Sequence, residues 1–290
     1  MAIQPETTGV SLGENVRKTL LLGCLVVPVI LLNACSSNLV LSSWICKQSV
    51  STGHPDSGSN DAGTDFSQWS TGFENGFCDY SSDGNGSCYT SQGAASYKIV
   101  EAPVHAGHYA AAFTVVGDGS NTDTGNQSRC HRDGELPAEA YYKAWYYIPT
   151  LAATPGNWNL IHFQGGDGPG PNLDLLWDVS LVNNDTGGLR LTVRSNATLP
   201  NSLDLSHAPA IPIATWFHIV FYLKRAADAT GAVKLYQDDL TTPIAQQSNL
   251  ITDKTRYGQW YVGNLATNLE PAESTVYVDD VYVGPELTAP

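Results

Sequence analysis

Between Trp158 and Gly166 the chain reads WNLIHFQGG, with polar side chains set into an apolar run. In an extended strand, side chains alternate between faces. That places Trp158, Leu160, His162 and Gln164 on one side and Asn159, Ile161 and Phe163 on the other. An imidazole and a carboxamide on one face suit β-elimination from a uronic acid. The Gln164 amide can hydrogen-bond the substrate carboxyl and spread its charge, the His162 imidazole can take the C5 proton, and a tyrosine can protonate the leaving oxygen. The competing reading is a structural or surface histidine, the commoner use of a solitary imidazole in a strand.

Other side chains bear on the same chemistry. Arg129 and Arg132, in SRCHRDGEL, and the pair Arg190 and Arg194 can supply a positive field for a uronate. They suit equally a solvated strand face or a salt bridge to Glu135 or Asp178. Flat aromatic rings pack against the C–H faces of sugars. Trp145 and Trp158, in register with polar residues, are open to a sugar-facing or a core role, whereas Trp177 and Trp216 read as core. Asp174 and Asp178, two strand steps apart, leave the carboxylate pair of a glycosidase open. Glu74, in GFENGF, would meet Asp279 or Asp280, in VYVDDVYVG, if the terminal strands pair, and such hard oxygen ligands suit a structural Ca²⁺. The elimination itself requires no cofactor. No G-x-S-x-G, P-loop, dinucleotide fingerprint, H-E-x-x-H or C-x-x-C occurs.

Positioning these residues takes a sheet. YYKAWYYIP (141–149), DLLWDVSLV (174–182) and LRLTVRS (189–195) alternate with period two, and Asn183 to Gly188 is strong turn chemistry that returns the chain as a hairpin. TWFHIVFYLKR, AVKLYQDD, QWYVGNL and STVYVDDVYVG continue the pattern. Helical periodicity is limited to a turn or two near Leu136–Ala140 or Leu203–Ala208. The fold expected is all-β, a two-sheet antiparallel β-jelly-roll sandwich over residues 66–290. One sheet face would line an open groove, with Lys143, Trp145, Trp158, His162, Gln164, Asp178, Arg190 and Arg194 as its candidates.

Ahead of that domain, Arg17 and Lys18 precede an apolar run from Leu20 to Leu32, followed by Leu32-Asn33-Ala34-Cys35. The run is short for a membrane span and Pro28 interrupts it. It reads as a bacterial lipoprotein signal over residues 1–34, with Cys35 the lipidated residue. Ser36 after it resembles the outer-membrane sorting pattern, so a lipid-anchored envelope protein is expected, touching the membrane only through its anchor. Residues 35–65 then form a tether rich in Ser, Gly and Asp. An exported chain meets an oxidising compartment, so Cys46, Cys78, Cys88 and Cys130 are expected in disulfides. Of the three connectivities, Cys78–Cys88 across a polar loop is preferred. The net charge of −14, without a downstream Lys/Arg cluster, excludes nucleic acid as a natural partner.

Three longer stretches, YYKAWYYIPTLAATPGNWNLIHFQG, ATWFHIVFYLKRAADATGAVKLYQDD and TVYVDDVYV, resemble the concanavalin A-like lectin/glucanase superfamily. Within it they resemble the heparin lyase I-like and related polysaccharide lyases. The resemblance covers about residues 66–284. It implies an arginine ahead of a Glu-Leu pair, met by Arg129 or Arg132 before Glu135-Leu136. It implies a Gln/His pair on a cleft strand, met by Gln164 and His162, and a late-strand tyrosine, met by Tyr257 or Tyr261. The chain departs from the pattern in placing His before Gln, and in lacking a lysine in YGQWYVG. The E-x-D-x-x-E strand of the glucanases is absent. The expectation is a lyase acting on a uronate-containing polysaccharide. The alternatives are a lectin-like or adhesive module that binds without chemistry, and a structural envelope protein.

Overall fold

The computed structural model describes residues 68–91, 95–117, 126–168, 173–195 and 203–288. Eight strands form one antiparallel sheet, in the order β12 (Ala245–Leu250), β11 (Gly231–Gln237), β10 (Trp216–Lys224), β6 (Glu139–Tyr147), β14 (Glu273–Gly284), β4 (Ala110–Val116) and β3 (Ser96–Val100), with the short β1 (Trp69–Thr71) also on β14. Six strands form the second: β2 (Gly86–Thr90), β5 (Asn126–Gly134), β13 (Tyr257–Ala266), β7 (Trp158–Gly166), β8 (Asp174–Asn183) and β9 (Leu189–Ser195). This is the antiparallel jelly-roll sandwich that the alternation implies. The helical turn among the described residues is α1 (Cys78–Ser81), whereas 136–140 and 203–208 are not helical.

The inner faces meet through aromatic rings. Tyr142 of β6 packs edge-on against Phe163 of β7 at 4.8 Å and Trp260 of β13 at 5.1 Å, and Phe221 of β10 lies 5.3 Å from Phe163. All four are buried. Truncating such a ring to alanine costs about 3–5 kcal/mol. One polar group crosses the same interior: Asn264 accepts from Trp158 Nε1 at 3.0 Å and donates to the carbonyls of Phe113 (3.1 Å) and Ser274 (3.0 Å). Its amide is thereby satisfied within the apolar core.

β9 keeps plain period two, with Leu189, Leu191 and Val193 buried and Arg190, Thr192 and Arg194 outward. β7 does not. Its pairing with β8 slips between Asn159 and Ile161 and again between Phe163 and Gln164. A bulge inserts a residue without a partner and sends the side chains beyond it to the opposite face. Trp158, Leu160, Ile161 and Phe163 therefore all reach the core, while Asn159 and His162, three positions apart, share the outer face.

Among the described residues, the disulfide partner of Cys88 differs from the pairing preferred from sequence. Cys88 on β2 stands opposite Cys130 on β5 and is bonded to it, so strand register rather than loop proximity chooses its partner. The lipidation candidate Cys35, the tether and Cys46 lie outside the described residues. No helix among the described residues is long and apolar enough to cross a membrane.

Candidate active site

A line of register partners crosses the outer face of the six-stranded sheet. His131 on β5 stands opposite Tyr261 on β13, Tyr261 opposite His162 on β7, His162 opposite Asp178 on β8, and Asp178 opposite Arg194 on β9. His162 Nδ1 lies 2.5 Å from Asp178 Oδ1, and Asn159 Nδ2 donates to the same oxygen at 2.9 Å. Arg194 Nε donates to the other oxygen, Oδ2, at 2.7 Å. A carboxylate only accepts, so His162 carries its hydrogen on Nδ1 and its lone pair on Nε2. Nε2 is buried and has no hydrogen-bond partner.

The electrostatics agree with that tautomer. Burial holds the His162 imidazole below its ordinary 6.5, outweighing the opposing pull of Asp178, with the charges of Arg129 and Arg194 adding to the lowering. Burial alone would raise Asp178. The hydrogen bonds from His162 and Arg194 and the fixed charge of Arg194 outweigh it and hold the carboxyl below its ordinary 3.8. At neutral pH the pair is an uncharged imidazole on an ionised carboxylate, which is the resting state of a general base.

Tyr261 sits beside it, ring centroid 5.3 Å from that of His162. Its hydroxyl donates to Gln164 Oε1 at 3.2 Å and contacts Gln259 Oε1. With Oε1 so engaged, the Gln164 amide N–H groups are the ones that can serve a bound carboxyl. Burial pushes the Tyr261 phenol well above its ordinary 10, so it stays protonated at neutral pH. The guanidinium carbon of Arg129 lies 4.4 Å from the Tyr261 ring centroid, and Arg129 Nη2 donates to Tyr89 Oη at 3.1 Å. Arg129 Nε and Nη1 are buried without a partner. Gly263 stands opposite Arg129 at φ +137°, where the two backbones approach closely. A Cβ at Gly263 would lie 2.6 Å from the Ser128 carbonyl oxygen and 2.8 Å from Arg129 Cα.

The register thus brings together His162, Gln164, Asp178, Arg129, Arg194 and Tyr261. Tyr257, four residues before Tyr261, has the same strand parity and is half-buried. Arg190 donates to the Leu205 carbonyl at 3.3 Å, farther along β9. Other expected groove residues lie elsewhere. Trp158 is in the core, carried inward by the bulge. Lys143 and Trp145 are on the outer face of the opposite sheet, because period two separates the faces of a strand without saying which sheet it joins. Lys143 Nζ donates to the carbonyls of Glu286 (2.9 Å) and Leu287 (3.1 Å), and burial lowers its ammonium to about 8. Trp145 is stacked between His105 at 3.8 Å and His218 at 4.7 Å, so neither ring face is open to a sugar. Trp216, read as core, packs beside that stack on the same outer face. Arg132, three residues from Arg129, points to the opposite side of β5 and pairs with Asp83 at 2.5 Å.

β1 and β14 do pair; Glu74 follows β1, and Asp279 and Asp280 sit in the middle of β14, where its pairing with β6 shifts. Each carboxylate serves the segment 105–109. Glu74 accepts from the amides of His108 and Tyr109, Asp279 from those of His105 and Ala106, and Asp280 meets His105 Nδ1 at 2.6 Å. Among the described residues no group of three His, Cys, Asp or Glu is placed to hold a metal. Asn159, Gln259, Tyr89 and His131 also join the outer-face network. Gln259 and Tyr261 do share strand parity in QWY, but the bulge hides Asn159 from any periodicity.

Residues 62–282 match the family model described as "Polysaccharide lyase". Among solved structures, the chain is similar to the endo-β-1,4-glucuronan lyase of the fungus Trichoderma reesei, with a TM-score of 0.51 and 19% identity over 68% of this chain and 90% of that one. It is also similar to the alginate lyase Aly36B solved with an alginate trisaccharide (TM-score 0.50, 13% identity, 76% and 98% covered). A third similar structure is the cellulose-induced protein Cip1 (0.50, 11%, 74% and 96%). No curated protein sequence matches the chain.

Proposed function

Since the chain belongs to the polysaccharide lyase family, we propose that it cleaves a uronate-containing polysaccharide by β-elimination on the outer face of the six-stranded sheet. The observation that carries this reading is the buried, unpartnered Nε2 of His162, opposite an Nδ1 fixed on Asp178. In this mechanism Arg129 and the Gln164 amide bind the uronate carboxyl and take up charge as C5 loses its proton. His162 Nε2 receives that proton, and Asp178 stabilises the imidazolium that forms. The Tyr261 hydroxyl protonates the departing O4, leaving a 4,5-unsaturated uronate. Arg194 flanks the reacting sugar, Tyr257 and Arg190 lie farther along their strands toward neighbouring sugars, and no cofactor enters.

Glucuronan and alginate are the first substrates to try, because the similar structures include lyases named for each. The unsaturated product absorbs in the ultraviolet, so one screen across glucuronan, alginate, heparin and pectin tests the proposal. Rising absorbance on a uronate polymer supports it. Retention on a glycan column with no absorbance on any substrate would instead mark a binding module. We propose further that Cys35 carries a lipid anchor that holds the domain at the bacterial envelope, on the strength of the Leu32–Cys35 signal.

A further inference from the structure

The outer face of the six-stranded sheet carries a second imidazole held by a carboxylate. His131 Nδ1 lies 2.5 Å from Asp133 Oδ1, and His131 Nε2 lies 2.8 Å from Ser87 Oγ on β2. The carboxylate only accepts, so Nδ1 carries the hydrogen and Nε2 accepts from the serine hydroxyl. Ser87 is exposed. A nucleophile, a base and an orienting carboxylate therefore stand in hydrogen-bond sequence. Strand geometry fixes them: Ser87 and His131 are register partners, and Asp133, two residues beyond His131, shares its face.

The backbone adds a fourth element. Asp133 N donates to the Asn85 carbonyl and Ser91 N to that of Gln127. Hydrogen-bonded pairs of β2 with β5 thus alternate through Ser87/His131, and Cys88 opposite Cys130 falls at a position without them. The N–H and C=O of Cys88 point off the free edge of the sheet, and its carbonyl accepts from Tyr97 Oη at 3.1 Å. The residue after the serine so offers its amide N–H as a donor to an oxyanion forming at Ser87.

We propose that Ser87, His131 and Asp133 form a second catalytic centre, one that hydrolyses carboxylic esters carried by the polysaccharide. Ser87 Oγ attacks the ester carbonyl as its proton passes to His131 Nε2. The C–O bond breaks, the alcohol leaves with that proton, and an acyl-serine remains. Water, deprotonated by His131, then releases the acid and restores the hydroxyl. The ester's identity rests on the uronate reading above; the hydrolytic centre does not. A methyl ester removes the carboxylate that Arg129 would bind, and an O-acyl group crowds the ring, so either hydrolysis would prepare sugars for elimination.

The test compares the full chain with its Ser87→Ala variant on p-nitrophenyl acetate, with fluorophosphonate labelling located by peptide mass, and with elimination followed in parallel. Ester hydrolysis should fall roughly 100-fold or more and the label at residue 87 should vanish, while elimination on an unesterified substrate persists. Asp133→Asn should slow labelling of Ser87. Acetate release from an O-acetylated uronate polymer, or methanol release from a methyl-esterified one, identifies the ester. Equal hydrolysis by both proteins with no label at Ser87 overturns the proposal. Loss of elimination on all substrates with Ser87 still reactive overturns the lyase reading alone.

Discussion

His162 Nδ1 and Asp178 Oδ1 lie 2.5 Å apart on adjacent strands, and that contact decides which imidazole nitrogen is basic. An amide at 178 can present N–H to Nδ1 and move the lone pair away from the reacting side. Asp178→Asn should therefore lower kcat on the order of 10²–10⁴-fold with little change in KM, and His162→Ala should lower it at least as far. Circular dichroism should show both variants folded; unchanged turnover in either would remove the pair from the mechanism.

The pH profile follows from the same burial. Elimination needs neutral His162, so activity is lost as pH falls through the imidazole's pKa. Because burial lowers that value, the acid limb of kcat/KM should lie below 6.5. The raised phenol of Tyr261 should keep the alkaline limb from appearing below 10. An acid limb at or above 6.5 would assign the base to another group.

Tyr261→Phe removes the proton donor but keeps the ring against Arg129 and His162. Turnover of a polymer with a poor leaving group should fall about 10²-fold or more while binding persists. A uronate bearing an activated aryl leaving group needs less protonation and should lose much less. Equal losses on the two substrates would reassign the acid.

Arg129→Ala should raise KM and lower kcat on a charged uronate, together by about 10–100-fold in kcat/KM, in keeping with the loss of a hydrogen bond to an ion. A methyl-esterified substrate should show a smaller loss in binding assays. Gly263→Ala acts on the same residue from behind. Its Cβ would meet the Arg129 backbone at a positive φ, so calorimetry should show a lower Tm and a cost of about 1–3 kcal/mol.

Cys35→Ser tests the anchor. The parent chain should incorporate labelled palmitate in a Gram-negative host and fractionate with membranes; the variant should do neither. Incorporation in both would place the lipid elsewhere.

Much of this arrangement was readable from residue order, for local reasons. The alternation in LRLTVRS and the turn at Asn183–Gly188 determine β8 and β9 from a few residues each, and His162 with Gln164 remain on one face as spacing implied. What period two cannot carry is long-range information. It did not anticipate the bulge that turns Trp158 inward and brings Asn159 to Asp178. It could not tell that Lys143 and Trp145 belong to the other sheet. Cys88 takes a partner 42 residues away because β2 and β5 are neighbours, a fact of topology that no loop between cysteines reveals.

The line from His131 to Arg194 runs across strands rather than along one. Its pitch is therefore the strand spacing, about 4.8 Å, close to the advance of one pyranose in a linear chain. A polysaccharide laid along that line would step one sugar per strand, so the number of units the face can read is counted in strands. Loops can close over such a ruler, but they cannot rescale it.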